Sequence, residues 1–447
     1  MTNIQFHVQP GGHIKGRVRV PGDKSISHRS IMLGSLAEGT TTVTGFLEGA
    51  DALATLNAFR QMGVKIEGPD EGKVTIHGVG LHGLQPPKQP LDMGNSGTST
   101  RLLAGIIAGQ SFDVTLIGDA SLSKRPMKRV VDPLTAMGAQ IETQAGGTLP
   151  MLIKGRGKPL QAIDYILPMA SAQVKSCVLL AGLYADGRTC ATEPAPTRDH
   201  TERMLNGFGY AVQTEKLDAQ QTRACLQGGG RLTACHIDVP SDISSAAFFM
   251  VAAAICEGSD LVIEHVGMNP TRTGVIDILR LMGANIVLEN AHEVGGEPVA
   301  DVHIRYAPLK GIEIPEALVA LAIDEFPVLF VAAAAAEGTT VLTGAEELRV
   351  KESDRIQVMA DALQAVGIDA QPTPDGMIIQ GGSQCPQKAK ILSHHDHRIS
   401  MAMTVAGLRA AAPLVIDDCA NVNTSFPIFL PLINQVGMQV AAMETVA

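Results

Sequence analysis

The chain has 447 residues, of which 45% are apolar and 18% charged, and its formal net charge is −10. These values are ordinary for a globular protein of two to three domains. Only 3% of residues are aromatic and Trp is absent, which argues against a nucleic-acid-binding protein, since that class needs basic surfaces and aromatic stacking platforms.

The cysteines and the apolar segments indicate the compartment. The seven cysteines are odd in number and contain no CxxC pair, so we expect neither a disulfide framework nor a zinc site. Residues 1–12 lack a basic region followed by an apolar run, so no secretory signal is expected. The apolar stretch Val328–Ala336 is too short for a membrane span of about 20 residues and predicts a buried helix. We therefore predict a cytoplasmic protein with no membrane partner.

A helical stretch followed by glycine and a short β run recurs along the whole chain. Each glycine is expected to end a helix in the left-handed conformation, directly before a strand. The spacing of 70 to 84 residues corresponds to a βαβαββ unit and predicts six repeats. The six glycines are Gly63, Gly138, Gly209, Gly283, Gly367 and Gly437.

Two Val-Pro pairs divide the repeats into two groups of three. Val20-Pro21 and Val239-Pro240 each precede a polar helix start, and proline disfavours helix in the residue before it, so both are expected to be extended crossovers. We predict an α/β fold with two domains of three repeats each. One domain spans 21–239 and the other combines 1–20 with 240–447.

Polar residues collect where six apolar helices begin. A helix N-terminus offers unpaired N–H groups and a partial positive charge, so it binds phosphate or carboxylate. The alternative is simple N-capping, which we favour for Ser241, Asp242 and Ser244. N-capping does not explain why cations lie beside the other helix N-termini, or why Gly97 leaves room for a ligand at one of them. The starts are at Gly22, Gly94, Ala170, Ser241, Ile323 and Asp396, and the neighbouring cations are Lys24, Arg29, Arg101 and Arg398.

Three further segments are rich in charge: 124–129, 349–355 and 395–398. Arginine suits bidentate capture of carboxylate or phosphate, and Arg125, beside Pro126, is the better candidate in the first segment. Lys128 and Arg129 are more typical of a solvated surface. The histidines of 394–397 lack metal-ligand spacing, and no nucleotide-binding motif is present in a suitable context. We predict no metal and no cofactor.

Six segments of this chain resemble the 5-enolpyruvylshikimate-3-phosphate synthase family, in order and over nearly its whole length. They are PGDKSISHRS, GNSGTSTRLLAG, GDASLSKRPM, SAQVKS, EELRVKESDR and DHRISM. RDHTE (198–202), SAQVK (171–175) and NPTR (269–272) resemble its second, bacterial class. The resemblance implies an inside-out α/β barrel of six βαβαββ repeats. It also implies enolpyruvyl transfer from phosphoenolpyruvate to shikimate 3-phosphate, a step of aromatic amino-acid biosynthesis. We expect the protein to be a monomer.

The resemblance also implies roles for individual residues. Asp324 would accept the proton of the 5-hydroxyl, Glu352 would protonate the methylene carbon from a raised pKa, and Lys24 would shuttle a proton or stabilise the leaving phosphate. The residues implied for shikimate 3-phosphate are Lys24, Ser25, Arg29, Ser171, Ala172, Gln173, Thr197 or Arg198, Asp324 and Lys351. Those implied for phosphoenolpyruvate are Lys24, Asn95, Gly97, Thr98, Arg125, Gln173, Glu352, Arg355 and Arg398.

Some positions depart from the first class of this family. Ala172 replaces a serine, Glu347 replaces an asparagine, and Asn423–Pro427 lacks a lysine. Glyphosate tolerance stays open, because the RDHTE motif favours tolerance whereas Gly97 leaves room for that inhibitor. One alternative is the related enzyme that acts on UDP-N-acetylglucosamine, although Ser121–Met127 lacks its loop cysteine. Another is a non-catalytic repeat scaffold, which would tolerate changes at Asp324 and Glu352.

Overall fold

The computed structural model describes residues 2–218, 221–382 and 389–446. The chain forms two compact units. The unit that we call central contains Gly22–Pro240 and Glu293–Glu297. The unit that we call terminal contains Met1–Pro21, Ser241–His292 and Pro298–Ala447.

Helices and strands are interspersed along the whole described chain. The strands are β1 (Thr2–Val8), β2 (Lys15–Val18), β3 (Glu38–Thr44), β4 (Lys65–Asp70), β5 (Lys73–Val79), β6 (Leu91–Asp92), β7 (Val114–Ile117), β8 (Gln140–Gln144), β9 (Thr148–Lys154), β10 (Leu160–Gln161), β11 (Asp164–Ile166), β12 (Ala185–Asp186), β13 (Arg188–Glu193), β14 (Val212–Lys216), β15 (Thr222–Gln227), β16 (His236–Asp238), β17 (Asp260–Gly267), β18 (Asn285–Val294), β19 (Glu297–Arg305), β20 (Thr339–Leu342), β21 (Asp369–Thr373), β22 (Gly376–Gln380), β23 (Lys390–Leu392), β24 (Leu414–Asp417) and β25 (Val440–Val446). The helices are α1 (Lys24–Leu36), α2 (Ala50–Gln61), α3 (Gly97–Ala108), α4 (Lys128–Ala136), α5 (Ala172–Gly182), α6 (His200–Gly207), α7 (Ile243–Ile255), α8 (Gly274–Leu281), α9 (Glu316–Val319), α10 (Phe326–Ala335), α11 (Arg355–Ala365), α12 (His397–Ala406), α13 (Val422–Ser425) and α14 (Phe429–Gln435).

The repeat is clearest in the middle of the central unit. There β6, α3, β7, α4, β8 and β9 form one βαβαββ unit, whose sheet has the order β6-β7-β9-β8. The pair β6–β7 is parallel, whereas β7–β9 and β8–β9 are antiparallel. The sheets β11-β13-β15-β14 and β16-β3-β5-β4 repeat this order. In the first of these three repeats the parallel partner of β3 is β16, from the far end of the unit.

The terminal unit varies the same plan. Its sheets have the orders β18-β19-β17-β2, β20-β22-β21 and β23-β24-β1-β25. In the last sheet β1 lies between β24 and β25 and is antiparallel to both. In the sheet of β17, the parallel edge strand is β2. The predicted α/β fold is confirmed.

One helix of each repeat lies inside its unit. These inner helices are α1, α3 and α5 in the central unit and α7, α10 and α12 in the terminal unit. All of Ile243–Ile255 in α7 is buried, and the apolar stretch predicted as a buried helix is α10, in which Phe326–Ala334 is buried. A helix that is apolar on every side is stable only inside a core. Polar side chains of such helices are therefore concentrated near their starts.

The predicted glycine caps are confirmed. After α2, the Gly63 N–H donates to Arg60 O and the Val64 N–H to Phe59 O, as in a helix that ends at a left-handed residue. The φ angles are 87° at Gly63, 89° at Gly138, 77° at Gly209, 96° at Gly283, 88° at Gly367 and 120° at Gly437.

The sequence predicts no disulfide framework, yet the structure contains one disulfide-bonded pair. Cys190 on β13 and Cys225 on β15 oppose one another in antiparallel register and form a disulfide across a Cα–Cα distance of 4.1 Å. The sequence did not reveal the pairing because the two positions are brought together only by the sheet. Cys177, Cys235, Cys256 and Cys419 are free, and Cys385 lies outside the described residues.

The described residues contain neither a metal-binding cluster nor a membrane-spanning helix. Within 2–218, 221–382 and 389–446, no cluster of three His, Cys, Asp or Glu side chains is suited to hold a metal ion. Over the same ranges, no helix has both the length and the apolar character needed to cross a membrane.

Candidate active site

The first turns of the three inner helices of the central unit are capped by side chains. Asp23 accepts a hydrogen bond from the Ile26 N–H before α1, and Ser96 accepts one from the Ser99 N–H before α3. Ser171 caps α5 in the same way. These three helices are therefore N-capped, as the alternative to ligand binding predicts. Each cap hydrogen bond uses only one of the unpaired N–H groups of its helix.

Hydrogen bonds between side chains join the N-terminal parts of these three helices. Gln173 on α5 donates from Nε2 to Thr98 Oγ1 on α3 over 3.0 Å. Arg29 on α1 donates from Nη2 to Ser176 Oγ on α5 over 3.0 Å. The side chains predicted from three separate segments therefore lie together at the starts of α1, α3 and α5. We call Arg29, Gly97, Thr98, Gln173 and Ser176 the central cluster.

Two guanidinium groups flank Gly97 in the central cluster. A Cβ atom at Gly97 would lie 3.4 Å from Arg125 Nη1 and 3.6 Å from Arg101 Nη1. Arg101 is held by Gln173, whose Oε1 accepts from Arg101 Nη1 over 2.5 Å. Burial, together with the charges of Arg129 and Arg125, lowers the pKa of Arg101. Like charges at this spacing favour an anion between them, beside the N–H groups of α3.

Arg125 and Lys24 each have an acceptor in the same unit. Arg125 Nη2 donates to Asn95 Oδ1 over 2.6 Å, and Asn95 Nδ2 donates to Asp119 Oδ2 over 2.7 Å. Lys24 pairs with Asp51, and both side chains are partly exposed. Asn95 and Asp119 therefore orient Arg125, while Lys24 keeps access to solvent.

Arg29 is buried in the central unit. Its Nε donates to Thr201 Oγ1 over 2.7 Å and its Nη1 to Ser25 O over 3.0 Å. With the bond to Ser176, at least three of its five N–H donors are engaged inside the protein. Burial lowers its pKa to about 10, Glu202 is the largest opposing influence, and Arg198 lowers it further. Arg29 therefore stays charged at neutral pH and lies close to Arg198.

The predicted residue Thr197 lies in a loop after β13. Its backbone N–H donates to Glu193 Oε1 over 3.3 Å, and its hydroxyl donates to Glu193 Oε2. Arg198 follows directly and is partly exposed. Glu193 was not predicted as a site residue, because nothing in its local sequence indicates the contact.

In the terminal unit, Arg355 is the centre of a carboxylate cluster. Its Nε donates to Asp396 Oδ2 over 2.9 Å, its Nη2 to Glu352 Oε2 over 2.6 Å, and its Nη1 to Asp324 Oδ1 over 3.4 Å. The Arg355 side chain is only 1% exposed. Burial acts to lower its pKa, but Asp396, Glu352 and Asp324 together raise it. Its role as a ligand of phosphoenolpyruvate stays a prediction, and the contacts that it makes are to carboxylates.

Asp324 has a second cationic neighbour. Lys351 Nζ lies 3.5 Å from Asp324 Oδ1 and also pairs with Glu347. Arg398 Nη1 donates to Asp324 O over 2.8 Å, from the first turn of α12. Asp324, Lys351, Glu352, Arg355 and Arg398 therefore lie together, and we call them the terminal cluster.

The pKa expected for Glu352 is wrong in this structure. Burial acts to raise the pKa of Glu352, but Arg355 and a backbone N–H outweigh it, and the net pKa is lowered. The sequence did not reveal this contact because a charged pair three positions apart is also common on solvated helices. His397 nearby has its pKa lowered to about 4 by burial and by Arg398.

Sequence reasoning missed several supporting residues. Glu325, 3% exposed, accepts from Ser244 Oγ and lies 3.9 Å from both Arg272 Nη2 and Arg398 Nη1. Ser244, interpreted as a cap, thus contacts a carboxylate, whereas Asp242 does cap α7. Glu325 could have been predicted as a supporting residue, because it is a second acidic residue directly after Asp324, at the start of a wholly apolar helix.

A family comparison identifies the chain on which these clusters lie. The family model described as EPSP synthase (3-phosphoshikimate 1-carboxyvinyltransferase) matches residues 8–433. The chain belongs to the EPSP synthase family. This confirms the family that the six segments predicted from sequence.

Relatives of this EPSP synthase family member match over nearly their whole length. A 3-phosphoshikimate 1-carboxyvinyltransferase of Hydrogenovibrio crunogenus is 74% identical over 443 residues, which is 99% of both chains. One from Alkalilimnicola ehrlichii is 68% identical over 97% of this chain and 96% of its own. The alternative of an enzyme for UDP-N-acetylglucosamine has no support from these names.

Solved structures agree with the fold. The EPSP synthase of Acinetobacter baumannii has a TM-score of 0.94 and 60% identity, covering 98% of this chain and 100% of its own. The enolpyruvyl transferase NikO of Streptomyces tendae has a TM-score of 0.77 at 15% identity over the full length of both chains. At that identity, the second comparison shows the fold alone.

Proposed function

We propose that this member of the EPSP synthase family transfers the enolpyruvyl group of phosphoenolpyruvate to the 5-hydroxyl of shikimate 3-phosphate and releases phosphate. The observation that carries the proposal is the pair of guanidinium groups beside Gly97. Arg101 and Arg125 both lie within 3.6 Å of the position that a Cβ there would occupy. This is a site for a small, strongly charged anion at the start of a helix.

Phosphoenolpyruvate is the anion that we assign to this site. Arg125, Asn95, Thr98 and the N–H groups after Gly97 would bind its charged oxygens, and Lys24 would lie at the bridging oxygen of its phosphate. Arg398 and Arg355 of the terminal cluster are proposed as further contacts. Cations at these positions offset the charge that develops on the phosphate as it leaves.

Shikimate 3-phosphate is the proposed acceptor. Ser171, Ala172, Gln173, Thr197 and Arg198 are proposed around its phosphate and ring, and Ser25 and Arg29 at its carboxylate. Asp324 and Lys351 are proposed at the ring hydroxyls. The Asp324 carboxylate is suited to this role because two cationic groups lie beside it, Arg355 Nη1 at 3.4 Å and Lys351 Nζ at 3.5 Å.

The proton transfers follow an addition and an elimination. Asp324 takes the proton of the 5-hydroxyl as the oxygen bonds to C2 of phosphoenolpyruvate, and Glu352 gives a proton to C3. In the second step C3 returns a proton to Glu352, the C2=C3 double bond re-forms, and the bond between C2 and the phosphate oxygen breaks. Phosphate leaves with a proton from Lys24, and exchange with solvent then removes the proton from Asp324 and restores the one on Lys24. Since Arg355 holds Glu352 ionised here, Glu352 must weaken that contact to carry the proton that it donates.

The test is a phosphate-release assay with both substrates, with the product identified by mass spectrometry. We expect phosphate and a product heavier than shikimate 3-phosphate by the enolpyruvyl group. No phosphate release with shikimate 3-phosphate, or release only with UDP-N-acetylglucosamine, would overturn the proposal. Full activity in the presence of a chelator is expected, because the proposed steps use no metal or cofactor.

We further propose that the protein is a cytoplasmic monomer that binds no nucleic acid. The formal net charge of −10 disfavours binding to a polyanion. Both proposed substrates carry several charges and do not cross a lipid bilayer unaided, so they are available where they are made. Light scattering after gel filtration tests the oligomeric state, and a dimer mass would contradict it.

A further inference from the structure

A buried lysine of the central unit lies between two buried carboxylates. Lys175 Nζ, on α5, is 2.9 Å from Glu193 Oε1 at the end of β13 and 2.8 Å from Glu202 Oε1 on α6. The three side chains are 3%, 4% and 5% exposed. A buried ion pair generally contributes little net stability, since desolvation offsets the attraction, so stability alone is a weak explanation for this cluster.

Glu193 fixes the loop that carries Thr197 and Arg198. Besides Lys175, its carboxylate accepts from Thr222 Oγ1 over 2.8 Å, from the Thr197 N–H and from the Thr197 hydroxyl. The loop between Glu193 and Thr197 reads Pro-Ala-Pro, and proline has no N–H to donate. Because its two prolines donate no backbone hydrogen bonds, the loop is held in place by the hydrogen bonds that Thr197 donates to the Glu193 carboxylate.

Glu202 connects the same lysine to Arg29. Its neighbour Thr201 accepts from Arg29 Nε and donates from Oγ1 to Ser176 Oγ over 2.7 Å, and Ser176 follows Lys175. Two adjacent residues of α5 thus contact two adjacent residues of α6. Burial acts to lower the pKa of Lys175, but Glu202 and Glu193 raise it, so the lysine is charged.

These contacts join two segments singled out in the sequence. Lys175 ends SAQVK and Glu202 ends RDHTE, and they meet in one ion pair. The beginnings of the same segments, Ser171 and Arg198, are proposed ligands of the acceptor. The ion pair of Lys175 and Glu202 is therefore suited to position Ser171 and Arg198.

We propose that Lys175, Glu193 and Glu202 are positioning residues for the 3-phosphate of the acceptor substrate. They hold the 193–198 loop so that Thr197 and Arg198 face the phosphate, and they do not touch the substrate themselves. The inference rests on the proposed function and adds to it residues that select a phosphorylated acceptor.

The test compares Glu193→Gln and Lys175→Met with the unchanged enzyme. We expect the KM for shikimate 3-phosphate to rise about 10-fold or more, as for a lost charge-assisted contact. The KM for phosphoenolpyruvate should stay within about 2-fold in both variants. The Ki of shikimate, which lacks the phosphate, should also stay within about 2-fold in Glu193→Gln, because Glu193 acts through the loop of Thr197, whereas Lys175 is also linked to Arg29. A merely structural role would weaken shikimate and its 3-phosphate alike in Glu193→Gln, and that result would overturn the proposal.

Two further variants keep the test decisive. Thr189→Val, a nearly isosteric change at a buried residue of the same strand, is the matched control and should leave all three constants unchanged. If a single variant fails to fold, the double variant Lys175→Met, Glu193→Gln removes one buried charge of each sign and leaves the Glu202 charge to offset that of Arg29. It should fold and still show the raised KM, whereas constants like those of the unchanged enzyme would refute the proposal. Inactivity of the unchanged enzyme would instead refute the proposed function.

Discussion

Arg355 and Asp396 form an ion pair whose Nε–Oδ2 distance is 2.9 Å and whose side chains are 1% and 0% exposed. Asp396 also caps α12, so the pair fixes the start of an inner helix to the start of α11. The remaining N–H groups of Arg355 face Asp324 and Glu352, the two proposed proton carriers. The Arg355 guanidinium therefore contacts both the cap of α12, Asp396, and the two proposed proton carriers.

Loss of Arg355 should destabilise the protein strongly. Arg355→Met leaves Asp396 as an unpaired buried charge, and we expect the free energy of unfolding to fall by about 3–5 kcal/mol. Urea denaturation followed by circular dichroism measures it. Lys128→Met, which removes the exposed pair with Asp132, is the control and should have little effect. Equal stability of the two variants would contradict the buried-pair argument.

The two proposed proton carriers should affect turnover more than binding. Asp324→Asn and Glu352→Gln should each lower kcat by about 10²–10⁴-fold, because each removes a general acid or base. Substrate dissociation constants from calorimetry should change much less. Glu346→Gln, at an exposed carboxylate of the same segment, should leave kcat unchanged. Near-normal kcat in both site variants would remove these residues from the mechanism.

A methyl group at Gly97 should weaken phosphoenolpyruvate binding. The added Cβ would lie 3.4 Å from Arg125 Nη1, inside the space that we assign to the anion. We expect Gly97→Ala to raise the KM for phosphoenolpyruvate about 5-fold or more, at a cost comparable to one lost hydrogen bond. The KM for shikimate 3-phosphate should change less. If the two KM values rise equally, the anion is not bound beside Gly97.

Stability should fall in mild acid because of His28. Burial, and next the charge of Lys24, lowers its pKa to about 3, while the unfolded state keeps a value near 6.5. The unfolded chain then binds more protons between these values, so stability is lost as pH falls below about 6.5. Between pH 7 and pH 5 the loss attributable to His28 should be about 2 kcal/mol.

Chemical denaturation at the two pH values measures that loss. The His28→Gln variant should lose correspondingly less stability than the unchanged protein over the same interval. His394→Gln, at an exposed histidine, is the matched control and should keep the full loss. An identical pH dependence in the His28 variant would show that this histidine is not buried in its neutral form.

The regular part of this fold was readable from the sequence because its signals are local. Gly63 and Gly437 end helices by a conformation that few other residues adopt, so each marks a boundary independently of the rest. The apolar run at Val328 needed only its composition to be assigned to a core. The fold class and the family followed from such repeated signals.

The side-chain contacts within the clusters could not be predicted from local sequence signals. Glu193 reaches Thr197 across two prolines, Arg355 reaches Asp396 from 41 positions away, and Cys190 meets Cys225 only in the folded sheet. Each depends on which side chains the tertiary fold brings into contact. The lowered pKa of Glu352 is a further result of such a contact.

The parallel pairing of β16 with β3 has a consequence for how the protein is made. Thr42 and His236 are joined across 194 positions, so the earliest sheet of the central unit stays incomplete until the last of its three repeats has left the ribosome. Before then β3 presents a bare edge that is able to recruit strands from other chains. Fragments truncated after one or two repeats should therefore aggregate, whereas a nascent chain extended past residue 240 should become protease-resistant in a single step.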